Sequence, residues 1–191
     1  CLAPCMGKDG WSFDEVEVAA ALALPADGRV RLLNDFVAVG LALPLAKGHA
    51  HVIHPGDGGA TNDGPLACLG PGTGLGMCFC VPTTDGTSGL TTWEVHPSEG
   101  GMAPFSPATY DEWKLREHIE SEYEISHVET ERVVSGNGIH NIYKYLYSIA
   151  KAAAQGNGDP MAFAPVEEVR KRVVASAEPA AVIASTASTD P

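Results

Sequence analysis

The sequence has 191 residues, of which 45% are hydrophobic and 7% aromatic, which is typical of a folded globular chain and argues against a disordered or fibrous one. It contains 12 Lys and Arg residues against 24 Asp and Glu residues, so its formal net charge is -12. A surface of this sign repels phosphate backbones and anionic membranes, so neither nucleic acid nor a membrane is an expected partner.

The chain shows no targeting pattern that would place it in or beyond a membrane. Its first residues contain no basic segment followed by an apolar one, which a secretory signal would need. It also contains no apolar run long enough to cross a bilayer. We therefore expect a cytoplasmic protein.

The cysteines do not form the pattern of a metal site. Only Cys1 and Cys5 approach the spacing of a zinc-binding pair, whereas a structural zinc site needs two such pairs. Cys78 and Cys80 are separated by one residue, so on a strand both would face the same side. Reduced, structural thiols and no metal site are the expectation.

The spacing of the apolar residues predicts strands and helices in alternation. Pro25 and Pro44 end the first two predicted helices, because proline cannot continue a helix. In chain order, the predicted elements are a helix over 14–24, a buried strand over 29–33, a helix over 36–43, a strand over 49–53, a hairpin of 66–69 and 77–81, a strand over 90–95, and helices over 109–123, 126–136, 139–156 and 166–177. Residues 178–191 are mostly Ala, Ser, Thr and Pro and predict no element. The mixture predicts an α/β fold.

Asn34 and Asp35 stand where a predicted buried strand ends and a helix begins. The carboxyl end of a buried strand is where open α/β sheets bind their ligands. There a carboxylate can accept a hydroxyl proton, and the amide beside it can both donate to and accept from a second hydroxyl. The alternative is that Asp35 only caps the following helix.

The segment 70–76 has glycine at every second position. Alternate glycines let the backbone turn with its N–H groups facing inward, which makes a cradle for an anion. Thr73 could add a hydroxyl donor to a phosphate. The spacing matches neither a P-loop nor a dinucleotide-binding turn. The alternative is a tight hairpin that needs glycine only for its turn.

Two glutamates complete the set of candidate residues. Glu99 follows a predicted strand and precedes Gly100 and Gly101, so its carboxylate would face a cleft that flexible backbone can approach. Glu131 lies in an acidic segment that runs into a glycine turn. Because the helix dipole favours acids in any first turn, both residues also have an ordinary structural explanation.

Two other patterns resemble functional sites but do not predict them. The segment 56–61 is similar to a phosphate loop of actin-like kinases, yet it continues into further loop residues and not into an apolar strand, so we predict a surface loop. His49 and His51 would share one face of a strand while His54 points away. Exposed histidines are therefore expected here, and not metal ligands.

The order of these motifs resembles that of the bacterial-type glucokinases. The matching segments are Leu-Leu-Asn-Asp-Phe-Val-Ala-Val, Gly-Pro-Gly-Thr-Gly-Leu-Gly, Pro-Ser-Glu-Gly-Gly and Glu-Arg-Val-Val-Ser-Gly-Asn-Gly, and the resemblance covers about residues 8–177. It implies part of a two-domain actin-like ATPase (ribonuclease-H-like) kinase fold, with a mixed sheet flanked by helices. Residues 1–45 would belong to the small domain and hinge, and 46–191 to the large domain.

The resemblance also implies roles for single residues. Asp35 matches the base that takes the proton from the 6-hydroxyl of glucose, and Asn34, Glu99 and Glu131 match residues that hydrogen-bond its other hydroxyls. The turn Gly72, Thr73 and Gly74 matches a loop that meets the terminal phosphates of ATP. The implied cofactors are ATP and Mg²⁺, the implied partners are glucose and ATP, and a homodimer is possible.

The chain departs from the family pattern at three points. Met102 stands where the bacterial enzymes have a sugar-contacting histidine, and a thioether cannot donate a hydrogen bond. The first phosphate loop and the Gly-Gly segment that walls the adenine pocket are not found. We therefore expect the chain alone to be inactive. A sugar-binding sensor without activity, and a kinase for another hexose or with another phosphoryl donor, remain alternatives.

Overall fold

The computed structural model describes residues 2–3, 11–12, 14–24, 30–31, 33–46, 49–53, 64–155 and 167–187. The α helices in these ranges are α1 (Glu15–Ala21), α2 (Asp35–Ala42), α3 (Tyr110–Tyr123), α4 (Gly136–Ala154), α5 (Glu167–Ala175) and α6 (Pro179–Ala187). The strands are β1 (Leu2–Ala3), β2 (Trp11–Ser12), β3 (Leu66–Pro71), β4 (Leu75–Thr84) and β5 (Thr91–Ser98). None of the helices in these ranges is both long and apolar enough to cross a bilayer.

The sheet that carries the site is three-stranded and antiparallel, in the order β3-β4-β5. The predicted hairpin is confirmed and is longer than expected, and the predicted strand over 90–95 is confirmed as β5. All strand pairs that the structure describes are antiparallel, so the parallel pairs of the expected mixed sheet are not among them. Short turns explain this, because a chain that returns at once can pair only antiparallel.

Helix α2 packs across one face of this sheet. Gly40 is buried there, and a Cβ built on it would lie 2.5 Å from Val95, 3.0 Å from the Cys78 sulfur and 3.4 Å from the Cys80 sulfur. The two cysteines thus face the same side, as their spacing predicted, and both are free thiols. Glycine at position 40 lets the helix backbone approach the sheet closely.

The helices α3 and α4 pack around a second apolar cluster. Thr109 and Glu112 form the predicted capping box at the start of α3, with each side chain accepting from the backbone of the other residue. The cluster consists of Leu115, Ile119 and Val128, whose side chains are 0–7% exposed. The predicted helices over 109–123 and 139–156 are therefore confirmed as α3 and α4.

Two predicted strands are wrong. Val30, Arg31 and Leu33 form no strand, and Leu33 is 51% exposed. The segment 49–53 forms turns and bends, with Ile53 92% exposed. A strand needs a hydrogen-bonded neighbour, and the sheet in the described ranges uses other segments as its neighbours. An apolar run alone could not reveal this.

The glycines and the tail also differ from the prediction. Helix α2 ends at Ala42, before Pro44 as predicted, and the chain continues directly as a 3₁₀ helix, Leu43–Ala46. Gly136 begins α4 and does not end a helix, and a 3₁₀ helix, Thr130–Arg132, replaces the predicted helix over 126–136. The tail contains α6, which packs on α4 and α5. Its alanines favour a helix and Pro179 suits the first helical position, although its apolar side chains show no helical periodicity.

Several predictions fall outside the described residues. They concern Cys1 and Cys5, the loop 56–61 and His54. His49 and His51 are exposed, as expected.

Candidate functional site

Two of the predicted motifs lie at one end of the three-stranded sheet. The turn 72–74 joins β3 to β4 at this end. Ser98, the last residue of β5, lies opposite Met77 near the start of β4. Glu99 therefore leaves the sheet beside the glycine turn, although the sequence separates the two by more than twenty residues.

The N-terminal end of α2 lies at the same end of the sheet, because the ring of Phe36 packs on Gly76. Asn34 is the N-cap of the helix, and its Oδ1 accepts from the amides of Phe36 at 2.9 Å and Val37 at 3.3 Å. Asp35 Oδ1 also accepts from the Phe36 amide, at 2.9 Å. Asn34 and not Asp35 is thus the cap, and Asp35 stands in the first turn of the helix with an exposed carboxylate that a ligand can reach.

Glu131 holds the glycine turn from the other side. Its Oε2 accepts from the amide of Leu75 at 3.3 Å, and a Cβ built on Gly74 would lie 2.7 Å from the same oxygen. The amide of Gly136, the first residue of α4, donates to the carbonyl of Gly72 at 2.8 Å. Both ends of the turn are therefore fixed to the segment 131–136.

A cleft of about 290 Å³ opens between the glycine turn and α4, close to the lower limit of ordinary ligand pockets. It brings together a residue of the predicted phosphate turn and a residue of the predicted sugar site. The residues that line it are Thr73, Tyr123, Glu131, Arg132, Ser135, Asn137 and Asn141. Hydrogen-bond donors and hydrogen-bond acceptors both face this space, which suits a polyhydroxylated or phosphorylated ligand.

A part-buried hydrogen-bond network forms a wall of the cleft, and the sequence interpretation missed it. Tyr123 donates to Asn141 Oδ1 at 2.6 Å, and Asn141 Nδ2 donates to the carbonyl of Arg132 at 2.9 Å. The guanidinium of Arg132 lies 5.2 Å from the centre of the Tyr123 ring and pairs with Glu129. Asn141, only 3% exposed, interrupts the apolar face of α4, and this is the signal that could have revealed it.

Glu99 and its neighbours approach the same region from a third direction. Glu99 is exposed and directly precedes the 3₁₀ helix Gly100–Met102, and it does not line the cleft. The carbonyl of Ala103 accepts from both the amide and the hydroxyl of Thr130, at 2.8 and 3.0 Å. The segments that carry Glu99 and Glu131 are therefore joined, and a shared ligand for the two glutamates stays a prediction.

The glycine turn fits a phosphate group. The amides of Gly72 and Leu75 are bound within the protein, whereas those of Thr73 and Gly74 have no protein acceptor in the described ranges. The Thr73 side chain is exposed beside them. No group of three or more His, Cys, Asp or Glu side chains in those ranges could hold a metal ion by itself.

The pattern of motifs matches one known family along almost the whole chain. The sequence model of the family described as Glucokinase matches residues 5–189. The chain belongs to the glucokinase family. The resemblance drawn from the four motifs is thereby confirmed, and the match extends past residue 177 into the segment that forms α6.

Curated relatives and a solved structure agree with this assignment. A glucokinase of Synechocystis sp. is 35% identical over 136 residues, which cover 71% of this chain and 36% of that protein. A glucokinase of Salmonella arizonae is 34% identical over 141 residues, covering 74% of this chain and 40% of the relative. The crystal structure of a glucokinase from an Antarctic psychrotroph shares 31% identity and a TM-score of 0.50 over 66% of this chain and 35% of that one.

The chain is thus similar to a part of each relative. It spans somewhat more than a third of the length of the curated glucokinases named above. The division at residue 45 into a small and a large domain stays a prediction. Helix α2, which that division assigns to the small domain, packs on the sheet of the other segment.

Proposed function

We propose that this chain provides the sugar site and one phosphate turn of an ATP-dependent glucokinase, which converts glucose and ATP to glucose 6-phosphate and ADP. The observation that supports the proposal best is the convergence at the end of the sheet. The helix end that carries Asp35, the turn that carries Thr73 and the carboxylate of Glu131 meet there from three distant parts of the sequence. We also propose the two-domain actin-like fold of sugar kinases for the complete enzyme.

The proposed reaction requires alignment more than covalent chemistry. Asp35 would accept the proton of the 6-hydroxyl as its oxygen attacks the terminal phosphorus. Asn34, Glu99 and Glu131 would hydrogen-bond other hydroxyls and so hold the sugar. The amides of Thr73 and Gly74, with the Thr73 hydroxyl, would hold the transferred phosphoryl group. ATP supplies that group and Mg²⁺ neutralises its charge when both are bound.

A sugar-binding protein without kinase activity is the second candidate. Met102 favours it, since this side chain is 49% exposed and offers no hydrogen-bond donor where the bacterial enzymes have a histidine. Asn34 and Asp35 argue for the enzyme, because binding alone does not need a proton acceptor. A kinase that acts on a different hexose, or that uses a different phosphoryl donor, is a variant of the first candidate function.

Glucose binding by the 191-residue chain tests the proposed site. Titration calorimetry with glucose should show saturable heat, and Glu131→Ala should weaken binding by about tenfold, the loss expected for one hydrogen bond to a charged group. Glu168→Ala is the matched control, because Glu168 is an exposed glutamate on α5. Equal affinity of the parent and the Glu131 variant, or no binding by the parent, would contradict the proposed site.

The location of the protein and its binding partners belong to the same proposal. We propose a cytoplasmic protein that binds neither nucleic acid nor membranes, in agreement with its net charge of -12. A homodimer remains possible and would be decided by sedimentation of the purified protein.

A further inference from the structure

The ring of Phe36 lies directly against two glycines of the sheet. A Cβ built on Gly76 would come within 1.8 Å of ring atom Cε2, and one built on Gly70 within 2.4 Å of Cζ. Real atoms do not approach so closely, so the ring fills the space that side chains at both positions would need. Phe36 therefore depends on glycine at 70 and 76 for its place.

These two glycines lie directly opposite each other in the β3–β4 pairing. Pro71 and Leu75 are the next pair, and the turn 72–74 follows. The ring therefore rests at the base of the glycine turn, on the same face of β4 as Cys78. Because Gly40 packs farther along β4, helix α2 runs along the strand with its N-terminal end toward the turn.

The residue next to Phe36 is the proposed base. The Phe36 amide donates to Oδ1 of Asp35 and to Oδ1 of Asn34, so the ring and the two polar side chains belong to one helix turn. A shift of the ring would move this turn relative to the segment 72–74. The contact at Gly40 lies just over one helical turn away and fixes the C-terminal half of the helix on the sheet.

We propose that Phe36 is a positioning residue, which packs on Gly70 and Gly76 and thereby holds Asn34 and Asp35 against the glycine turn. This inference rests on the proposed function, since it assigns to Phe36 the orientation of the proposed base. Gly70 and Gly76 thus have a second role besides allowing the chain to turn. They form the flat surface on which the base-bearing helix end is docked.

The packing itself is tested without any ligand. In NMR spectra of the 191-residue chain, the α-protons of Gly76 should be shifted by the aromatic ring current, and Phe36→Leu should remove that shift. The amides of Phe36 and Gly72 are both hydrogen-bonded within the protein, and their exchange should become faster in Phe36→Leu and Phe36→Ala. Val39→Ala is the matched control, because Val39 lies on the same helix but is 43% exposed. Unchanged Gly76 signals in Phe36→Leu would overturn the proposal.

A double-substitution cycle separates positioning from general stability. Phe36→Ala and Asp35→Ala should each weaken glucose binding by about fivefold or more. The affinity of the double variant should lie within about twofold of that of the single variant that binds glucose less tightly, because the effects of residues that act through each other are not additive. Fully multiplicative losses would overturn the proposal, as would a lower melting temperature with unchanged glucose affinity. If the parent binds no glucose, the proposed function fails for this chain, and the Gly76 shift with the exchange rates at Phe36 and Gly72 still decides the positioning.

Discussion

The Oε2 atom of Glu131 accepts a hydrogen bond from the backbone amide of Leu75 at 3.3 Å. Leu75 begins β4 directly after the glycine turn, and a side chain at Gly74 would displace the same carboxylate. The family resemblance assigns Glu131 to the sugar site, and the same residue is thus also hydrogen-bonded beside the turn that the resemblance assigns to phosphate binding. Occupation of one site should therefore affect the order of the other.

Glu131→Ala should lower the stability of the turn as well as sugar affinity. The change leaves the part-buried Leu75 amide without its acceptor, which costs about 1–3 kcal/mol of unfolding free energy. Denaturant unfolding measures this loss, and hydrogen exchange at Leu75 shows whether it is local. Glu131→Gln should recover most of the stability, because an amide oxygen can still accept. Equal stability of the parent and the alanine variant would exclude the contact as a stabilising one.

Asp35→Asn should reduce turnover far more than glucose affinity. A general base contributes about 10²–10⁴-fold, and asparagine keeps most of the hydrogen-bonding shape. The measurement needs a complete enzyme, made by placing this chain in the matching segment of the Synechocystis glucokinase. Asp111→Asn is the control, since Asp111 is also an exposed acid in the first turn of a helix. A turnover within about threefold of the parent would rule out Asp35 as the base.

The isolated chain of 191 residues should show no glucose-dependent consumption of ATP. The matched part covers only 36% and 40% of two curated relatives, and phosphoryl transfer needs both substrates aligned in one closed site. A coupled assay for ADP, with and without glucose, measures this directly. Turnover that persists through purification and is lost in Asp35→Asn would show that the chain contains a sufficient site.

The stability of the chain should fall between pH 7 and 5.5, partly because of His118. Burial lowers the pKa of His118, and Lys144 lowers it further against the opposing effect of Glu122. Its Nε2 is buried and has no hydrogen-bond partner in the described ranges. Below its unfolded pKa of about 6.5, the unfolded chain takes up a proton that the folded chain resists, so the unfolding free energy decreases as the pH falls.

Thermal unfolding at pH 7 and at 5.5 tests this dependence. His118→Phe should reduce the loss of melting temperature over this interval, because it removes one group that takes up a proton more readily in the unfolded chain. The Phe ring should also keep the contact with Tyr145, whose ring centre is 5.6 Å from that of His118. His49→Gln, at an exposed position, is the control. If the melting temperature of His118→Phe falls as much as that of the parent between pH 7 and 5.5, His118 does not contribute to the pH dependence.

Local signals predicted much of this fold correctly. The capping box of Thr109 and Glu112 and the helical spacing in α4 identified two helices, because these interactions lie within a few residues of each other. The glycine turn was found for the same reason. The motif order led to the family, which the comparisons then confirmed.

Contacts between distant segments could not be predicted in this way. The place of Phe36 depends on two glycines more than 30 residues away, and nothing local distinguishes its ring from an ordinary apolar side chain of a helix. The strand predicted over 29–33 failed for the same reason, since pairing depends on a neighbour and not on the apolar run. Asn141 was missed because its partners, Tyr123 and the Arg132 carbonyl, belong to other elements.

The close packing of Gly40 on the sheet gives the protein an internal chemical reporter. Cys78 and Cys80 are 2% and 0% exposed beneath α2, and the Cys80 thiol donates to the Gly40 carbonyl at 3.4 Å. Burial also raises the pKa of Cys78, so little of its reactive thiolate is present at neutral pH. A thiol-alkylating reagent can therefore reach these sulfurs only when the helix lifts from the strands. The rate of alkylation at Cys78 and Cys80, followed separately from that at the part-buried Cys68, would measure how often the helix that carries Asp35 separates from the strands that flank Thr73.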